Sequence, residues 1–162
     1  MARMISVVIA THNDERTLGQ SLAALVPAAV DGLVREVILA DAGSTDDTLE
    51  IAEDAGARVV RTEGPEADRL ARGCEAARGD WLLLLQAGHV PPAGWAQAAV
   101  RHLAEHPGRA GYWGGSALRL FAGSAPAVLA PRRLYDEVGG YRPGFLRRLG
   151  GRVLRLRVAP PR

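Results

Sequence analysis

The chain predicts an α/β fold, a Rossmann-like and mostly parallel sheet flanked by helices, and three observations predict it. Short, continuous apolar runs at residues 5–10, 37–39, 59–60 and 81–85 have strand length, and their unbroken apolarity suits strands covered on both faces. Between them lie stretches with apolar residues at helical spacing, so strand and helix alternate through Pro92. Gly and Pro punctuate the joins. Such an alternation puts the carboxyl ends of the strands on one edge of the sheet, where open α/β folds bind ligands.

Residues 5–10 form the first strand, which runs into Thr11, His12 and Asn13. Leu18, Leu22 and Leu25 then recur at helical spacing and predict an amphipathic helix over 14–26, with 27–33 as the return loop. Val37, Ile38 and Leu39 lead into Asp41. After Gly43, Ser44 and Asp47 have the spacing of a capping box, which predicts a helix from 45 to about 55 with Gly56 as its stop. Val59 and Val60 mark a third strand. A helix over 66–78, closed by Gly79, leads into Trp81–Leu85, the most apolar strand. A fourth helix over 93–106 is stopped by Pro107 and Gly108. Beyond it the alternation is lost: 112–122 reads as a strand, 132–138 as a short helix, and 154–158 as a last strand with Arg155 and Arg157 on its polar face.

With 162 residues, 48% hydrophobic and 23% charged, the chain reads as one globular domain over 1–162. All 20 basic residues are Arg and the formal charge is only +2, which is no nucleic-acid footprint. The single cysteine, Cys74, excludes an intramolecular disulfide framework and a multi-Cys zinc site. No run approaches the ~20 apolar residues that cross a bilayer, and the apolar run over 4–10 is short for a secretory signal. The expectation is a cytoplasmic protein. Seven arginines follow from Arg142 onward among Leu and Val; such a tail could lie on anionic lipid at the inner membrane face, or form a solvated strand or frayed terminus.

The loop after the first strand holds no glycine, so the dinucleotide fingerprint is absent, and so is a P-loop. That argues against an NAD dehydrogenase or a P-loop NTPase and leaves a nucleotide pocket built from side chains. Asp41, at the carboxyl end of a buried strand, could hydrogen-bond a nucleobase or ribose, or could simply form a turn. Separately, His102, Glu105 and His106 spell H-x-x-E-H, the inverted zinc-protease pattern, with both imidazoles on one helix face and Glu105 as base. Against it, no third ligand is identifiable, and a His beside a helix C-terminus is favoured by the dipole in any case.

Four stretches in this order, ISVVIATHND, VILADAGSTDDT, ARGDWLLLLQAGHVPPAGW and PRRLYDEVGGY, resemble the family 2 glycosyltransferases, which use a GT-A fold. The resemblance spans roughly 4–141. It implies sugar transfer from a nucleotide-diphosphate sugar to a hydroxyl acceptor, with a nucleotide-binding half near 4–92 and an acceptor-side half near 93–158. By it, Thr11, His12 and Asn13 line the nucleotide site and Asp41 contacts the nucleoside. Ala42 stands where a second carboxylate is common. The family's metal-binding Asp-x-Asp falls on Gln86, Ala87 and Gly88, which offer no anionic oxygen, so the Mg²⁺ or Mn²⁺ that the family implies is weakly supported by these residues. His89 is nearby, but imidazole suits softer metals. Phosphate neutralisation would then fall to arginines, with Arg69 or Arg72 on the third helix as candidates.

The general base that an inverting transferase needs is also missing from its usual place. Tyr141 is followed by Arg142 to Arg148 with no acidic residue, while Asp136 and Glu137 come earlier, on a predicted helix. No catalytic residue is assigned. Two readings of different class therefore stay open: a glycosyltransferase that binds a nucleotide-sugar, and a catalytically silent nucleotide-binding or interaction module of the same fold. A zinc hydrolase using His102, Glu105 and His106 is a distant third.

Overall fold

The computed structural model describes residues 4–86, 88–114 and 127–158. Among them one sheet holds β1 (Ile5–Thr11), β2 (Val34–Asp41), β3 (Arg58–Arg61), β4 (Trp81–Leu85), β5 (Ala110–Trp113), β6 (Ala127–Pro131) and β7 (Val153–Arg155). Their order across the sheet is β3-β2-β1-β4-β6-β5-β7. The first four strands are mutually parallel, β6 is antiparallel to both its neighbours, and β7 pairs parallel with β5. The expected mostly parallel sheet is present, with one reversed strand.

Side chains alternate across a strand, so each central strand feeds both faces. Ile5, Val7 and Ile9 of β1 join Leu39, Leu83 and Leu85 under Leu18, Leu22, Trp95 and Leu103. Val8 and Ala10 join Leu82 and Leu84 on the other face, against Leu70, Cys74, Leu134 and Tyr135. This double coverage is the physical reason the strands read as unbroken apolar runs. The covering helices are α1 (Glu15–Ala23), α2 (Val26–Val30), α3 (Thr48–Asp54), α4 (Glu66–Ala76), α5 (Trp95–Glu105), α6 (Arg132–Glu137) and α7 (Phe145–Leu149).

Several expected boundaries move. The helix expected over 14–26 stops at Ala23, and the return loop contains α2, with Pro27 in its first turn. A proline has no N–H for a continuing helix and clashes with the preceding turn, so the helix restarts there. The capping box does not form: α3 begins only at Thr48, and Asp47 makes no side-chain cap bond. Gly79 does not close α4, which ends at Ala76. It lies against β1, where a Cβ would sit 2.7 Å from the Ser6 amide nitrogen, and its own N–H donates to Ser6 Oγ at 2.8 Å. The strand expected over 112–122 is described only as Ala110–Trp113, and residues 115–122 of that expectation lie outside the described residues.

The last strand is Val153–Arg155, shorter than expected; Arg155 and Arg157 are exposed and Leu156 is buried. Ahead of it, α7 was not expected. It buries Phe145, Leu146 and Leu149 between Gly144 and Gly150, the i, i+1, i+4 stripe of a single turn. The arginine-rich tail is partly engaged inside the fold. Arg148 donates to the carbonyls of Val138, Gly140 and Pro143 at 3.0, 2.9 and 2.8 Å, and Arg152 pairs with Glu137 at 3.3 Å. Those two side chains hold the chain to itself, which removes them from the membrane contact the tail suggested. No described helix is long and apolar enough to cross a membrane.

Candidate functional site

The register of the parallel strands decides what meets at the carboxyl edge. Thr11 lies level with Asp41, Ile9 with Leu85, and Asp41 with Arg61. The loops beginning at His12, Ala42 and Gln86 therefore emerge side by side, as the sequence predicted, and α4 starts from the same edge after β3.

The first two loops are clasped by side chains. Asn13 is the one described non-glycine residue with positive φ, +56°, a conformation Asn tolerates. Its Oδ1 accepts the amides of Thr45 at 2.8 Å and Asp46 at 3.4 Å, while its own amide donates to Ser44 Oγ at 2.9 Å. Asp14 N–H donates to Thr48 Oγ1, Glu15 N–H to Asp46, and Asp47 N–H back to Glu15. His12 N–H turns to Asp14, Thr48 N–H to Asp46, and Ala42 N–H to the Thr11 carbonyl. With Gly43 and Ser44 on Asp41, every backbone N–H of 12–15 and 42–48 has an acceptor inside the clasp. A loop of this composition can bind itself because Ser, Thr, Asn and Asp supply acceptors at short reach.

Asp41 is the centre of the clasp. It is fully buried, and its carboxylate accepts Thr11 Oγ1 at 2.8 Å, Ser44 Oγ at 2.6 Å, and the amides of Gly43 and Ser44 at 2.9 and 2.8 Å. Burial alone would push its carboxyl up, but the donors from Ser44, Thr11 and Gly43 outweigh it and hold Asp41 below the usual carboxylate range. Four donors fill the capacity of a carboxylate. The direct nucleoside contact expected of Asp41 thus has no accessible oxygen in this arrangement, and the Thr11 side chain, equally buried, faces Asp41. Both position the edge from beneath. His12 and Asn13 are exposed on top of it.

Arg69, in the first turns of α4, is brought to the same place: its Nη1 donates to the Thr11 carbonyl at 2.7 Å. Among the described residues its buried Nε has no hydrogen-bond partner and no carboxylate lies within ion-pair distance of the guanidinium. Arg72 instead pairs with Glu75 on the exposed face of α4 at 3.1 Å. The loop after β4 offers little polarity: Gln86 is exposed, and Gly88 (φ +76°) packs against Thr17 of α1. The His89 carbonyl accepts Ser21 Oγ at 2.8 Å, and its half-buried ring is held below the usual histidine range by burial. Ala87 lies outside the described residues.

The other candidates fall elsewhere. Asp136 and Glu137 border a groove with Asp80, Trp81 and Pro131. Trp81 opens β4 and pairs with Pro131, so this groove is on the amino edge, opposite the clasp. Glu137 is further tied to Arg133 and Arg152. His102 is buried, with Nε2 2.9 Å from the Arg109 carbonyl, to which it must donate, and its ring stands edge-on to Trp81. Among the described residues no group of three or more His, Cys, Asp or Glu is placed to hold a metal ion. The zinc reading fails on this geometry: H-x-x-E-H here caps a core helix.

Sequence reasoning missed Ser44, Asp46, Glu15 and Thr48 as loop acceptors. The signal was there, in the density of short polar side chains in both loops.

The family model described as "Glycosyl transferase family 2" matches residues 6–114. A glucosyl-3-phosphoglycerate synthase of Mycolicibacterium paratuberculosis is 40% identical over 99 residues, 56% of this chain and 30% of the relative. A PGL/p-HBAD biosynthesis glycosyltransferase of Mycobacterium bovis is 36% identical over 99 residues, 53% of this chain and 36% of the relative. The matches thus span about a third of these curated relatives. Among solved structures, Mycobacterium tuberculosis glucosyl-3-phosphoglycerate synthase with Mn²⁺ and UDP-glucose superposes with a TM-score of 0.72 at 27% identity, covering 96% of this chain and 69% of that one. The same enzyme with Mn²⁺, UDP and phosphoglyceric acid gives 0.72 at 25%, over 98% and 72%.

Proposed function

The chain belongs to glycosyl transferase family 2, and from that premise we propose that it binds a nucleotide-diphosphate sugar along the carboxyl edge of β1, β2 and β4 and transfers the sugar to a hydroxyl acceptor. One observation carries the reading: in a chain of this family, segments far apart in sequence, the loops at Asn13, Ala42 and Gln86 and the start of α4 at Arg69, converge on one edge of the sheet. The similar mycobacterial structure that holds UDP-glucose supports a nucleotide-sugar as the ligand. Within this reading, residues 4–92 form the nucleotide side and 93–158 the acceptor side. His12, Asn13 and Arg69 meet the nucleotide, while Thr11 and Asp41 fix the loops that present them.

A second reading is favoured by one specific observation. Asp136 and Glu137, the acidic residues nearest the Gly-Gly-Tyr segment in sequence, border the opposite edge, so neither reaches an acceptor at the clasp. A module of this fold that binds the nucleotide without turning it over would have that arrangement. Incubating the chain with UDP-glucose and other nucleotide-sugars, over a panel of hydroxyl acceptors, and measuring acceptor-dependent release of nucleoside diphosphate separates the two. Release that depends on acceptor establishes the transferase; binding without release establishes the silent module.

A further inference from the structure

The cation that accompanies UDP in the similar structures takes oxygen ligands, as a rule with one or two carboxylates from the protein beside the substrate phosphates. The residues present do not fit it. Gln86 offers a neutral amide, Gly88 offers no side chain, Asp41 is filled by four donors, and among the described residues no group of three or more His, Cys, Asp or Glu is placed to hold a metal ion. The other general way an α/β edge neutralises phosphate is a cradle of free backbone amides. In the first two loops that is closed, because every N–H of 12–15 and 42–48 is satisfied within the clasp.

A side-chain cation does stand on this edge. We propose that this chain binds a nucleoside diphosphate without a divalent metal ion, with the Arg69 guanidinium supplying the positive charge; this rests on the nucleotide reading above. Arg69 suits the role in three respects. Its Nη1 bond to the Thr11 carbonyl, which also receives the Ala42 amide, holds it over the junction of the first two loops. It has no carboxylate partner among the described residues, unlike Arg58, Arg72, Arg133 and Arg152. A guanidinium presents a planar fork matched to phosphate oxygens and stays charged at any working pH. Arg61, level with Asp41 on the edge strand, lines instead the groove between α3 and β3 with Leu49 and Glu53.

The test is calorimetric titration of the full chain with UDP, GDP, dTDP and uridine, in EDTA and again with Mn²⁺. The proposal expects a nucleoside diphosphate to bind with the same affinity, within about twofold, in both buffers and at least tenfold more tightly than uridine in EDTA. In Arg69→Gln, checked for folding by thermal unfolding, that preference over uridine collapses. Binding that needs Mn²⁺ overturns the metal-free proposal and leaves the nucleotide reading standing. No binding of any diphosphate in either buffer removes both. If Arg69→Gln does not fold, the wild-type comparison in EDTA still decides, since equal affinity for UDP and uridine there overturns the proposal.

Discussion

Asn13 Oδ1 accepts the backbone amide of Thr45 at 2.8 Å, joining the loop after the first strand to the loop after the second across 32 residues of sequence. The candidate site depends on that join, because two loops that moved independently would present His12 and Ala42 to no common ligand.

Removing the acceptor while keeping the backbone isolates the join. Asn13→Gly tolerates the positive φ but leaves Thr45 and Asp46 amides without their partner. A loss of about 1–2 kcal/mol is expected. It should appear as a lower urea midpoint at unchanged slope, with faster hydrogen exchange at Thr45 and Asp46.

Asp41→Asn keeps the volume but turns one acceptor group into a donor facing donors. With four hydrogen bonds converging on the buried carboxylate, the expected loss is about 3 kcal/mol in the absence of any ligand. A residue that only touched nucleotide would leave the stability of the free chain unchanged, so thermal unfolding without ligand distinguishes the two roles.

Acid should weaken the fold through two carboxylates. Asp41 is held low as described, and Glu36, which burial alone would raise, is lowered by the Ser6 hydroxyl, the Arg78 amide and Arg58. Because both folded values lie below the unfolded ones, the unfolded chain takes up protons first as pH falls. Their stabilisation is complete above the ordinary carboxylate values of about 4 and is lost as pH drops through the folded ones. Urea titrations from pH 6 downward should show this decline, and Ser6→Ala should make it shallower.

Gly79→Ala places a methyl 2.7 Å from the Ser6 nitrogen and 2.8 Å from the Met4 carbonyl oxygen. Backbone cannot yield as a flexible side chain can, so β1 and the 77–80 turn must part. A loss of about 2–3 kcal/mol is expected, read as a lower Tm.

His102→Ala removes the donor to the Arg109 carbonyl and the ring against Trp81. The expected outcome is a loss of about 2 kcal/mol with no change in zinc content by elemental analysis. Stoichiometric zinc that disappears in the variant would restore the hydrolase reading.

Much of this molecule was legible in one dimension, and the readable parts share a cause. β1 and β4 declare themselves as apolar runs because both sheet faces are covered, and α5 ends where Pro107 and Gly108 follow. The misread places are those where a residue found a partner far away in sequence. Ser44 has the spacing of a cap, yet its hydroxyl oxygen accepts the amide of Asn13, 31 residues away, while its proton goes to Asp41, so it serves the first loop and not the coming helix. Gly79 has the look of a helix stop, and its absent side chain instead lets β1 pass.

The amino-acid sequence by itself determined the α/β alternation, the edge on which the loops gather and the family resemblance, because periodicity and loop order are local properties. Only the tertiary structure decided that Asp41 is an internal anchor, that the loop amides are already satisfied and that Arg69 is left with donors to offer. Those outcomes turn on which groups reach one another within about 3 Å across distant segments, and no spacing along the chain encodes that distance.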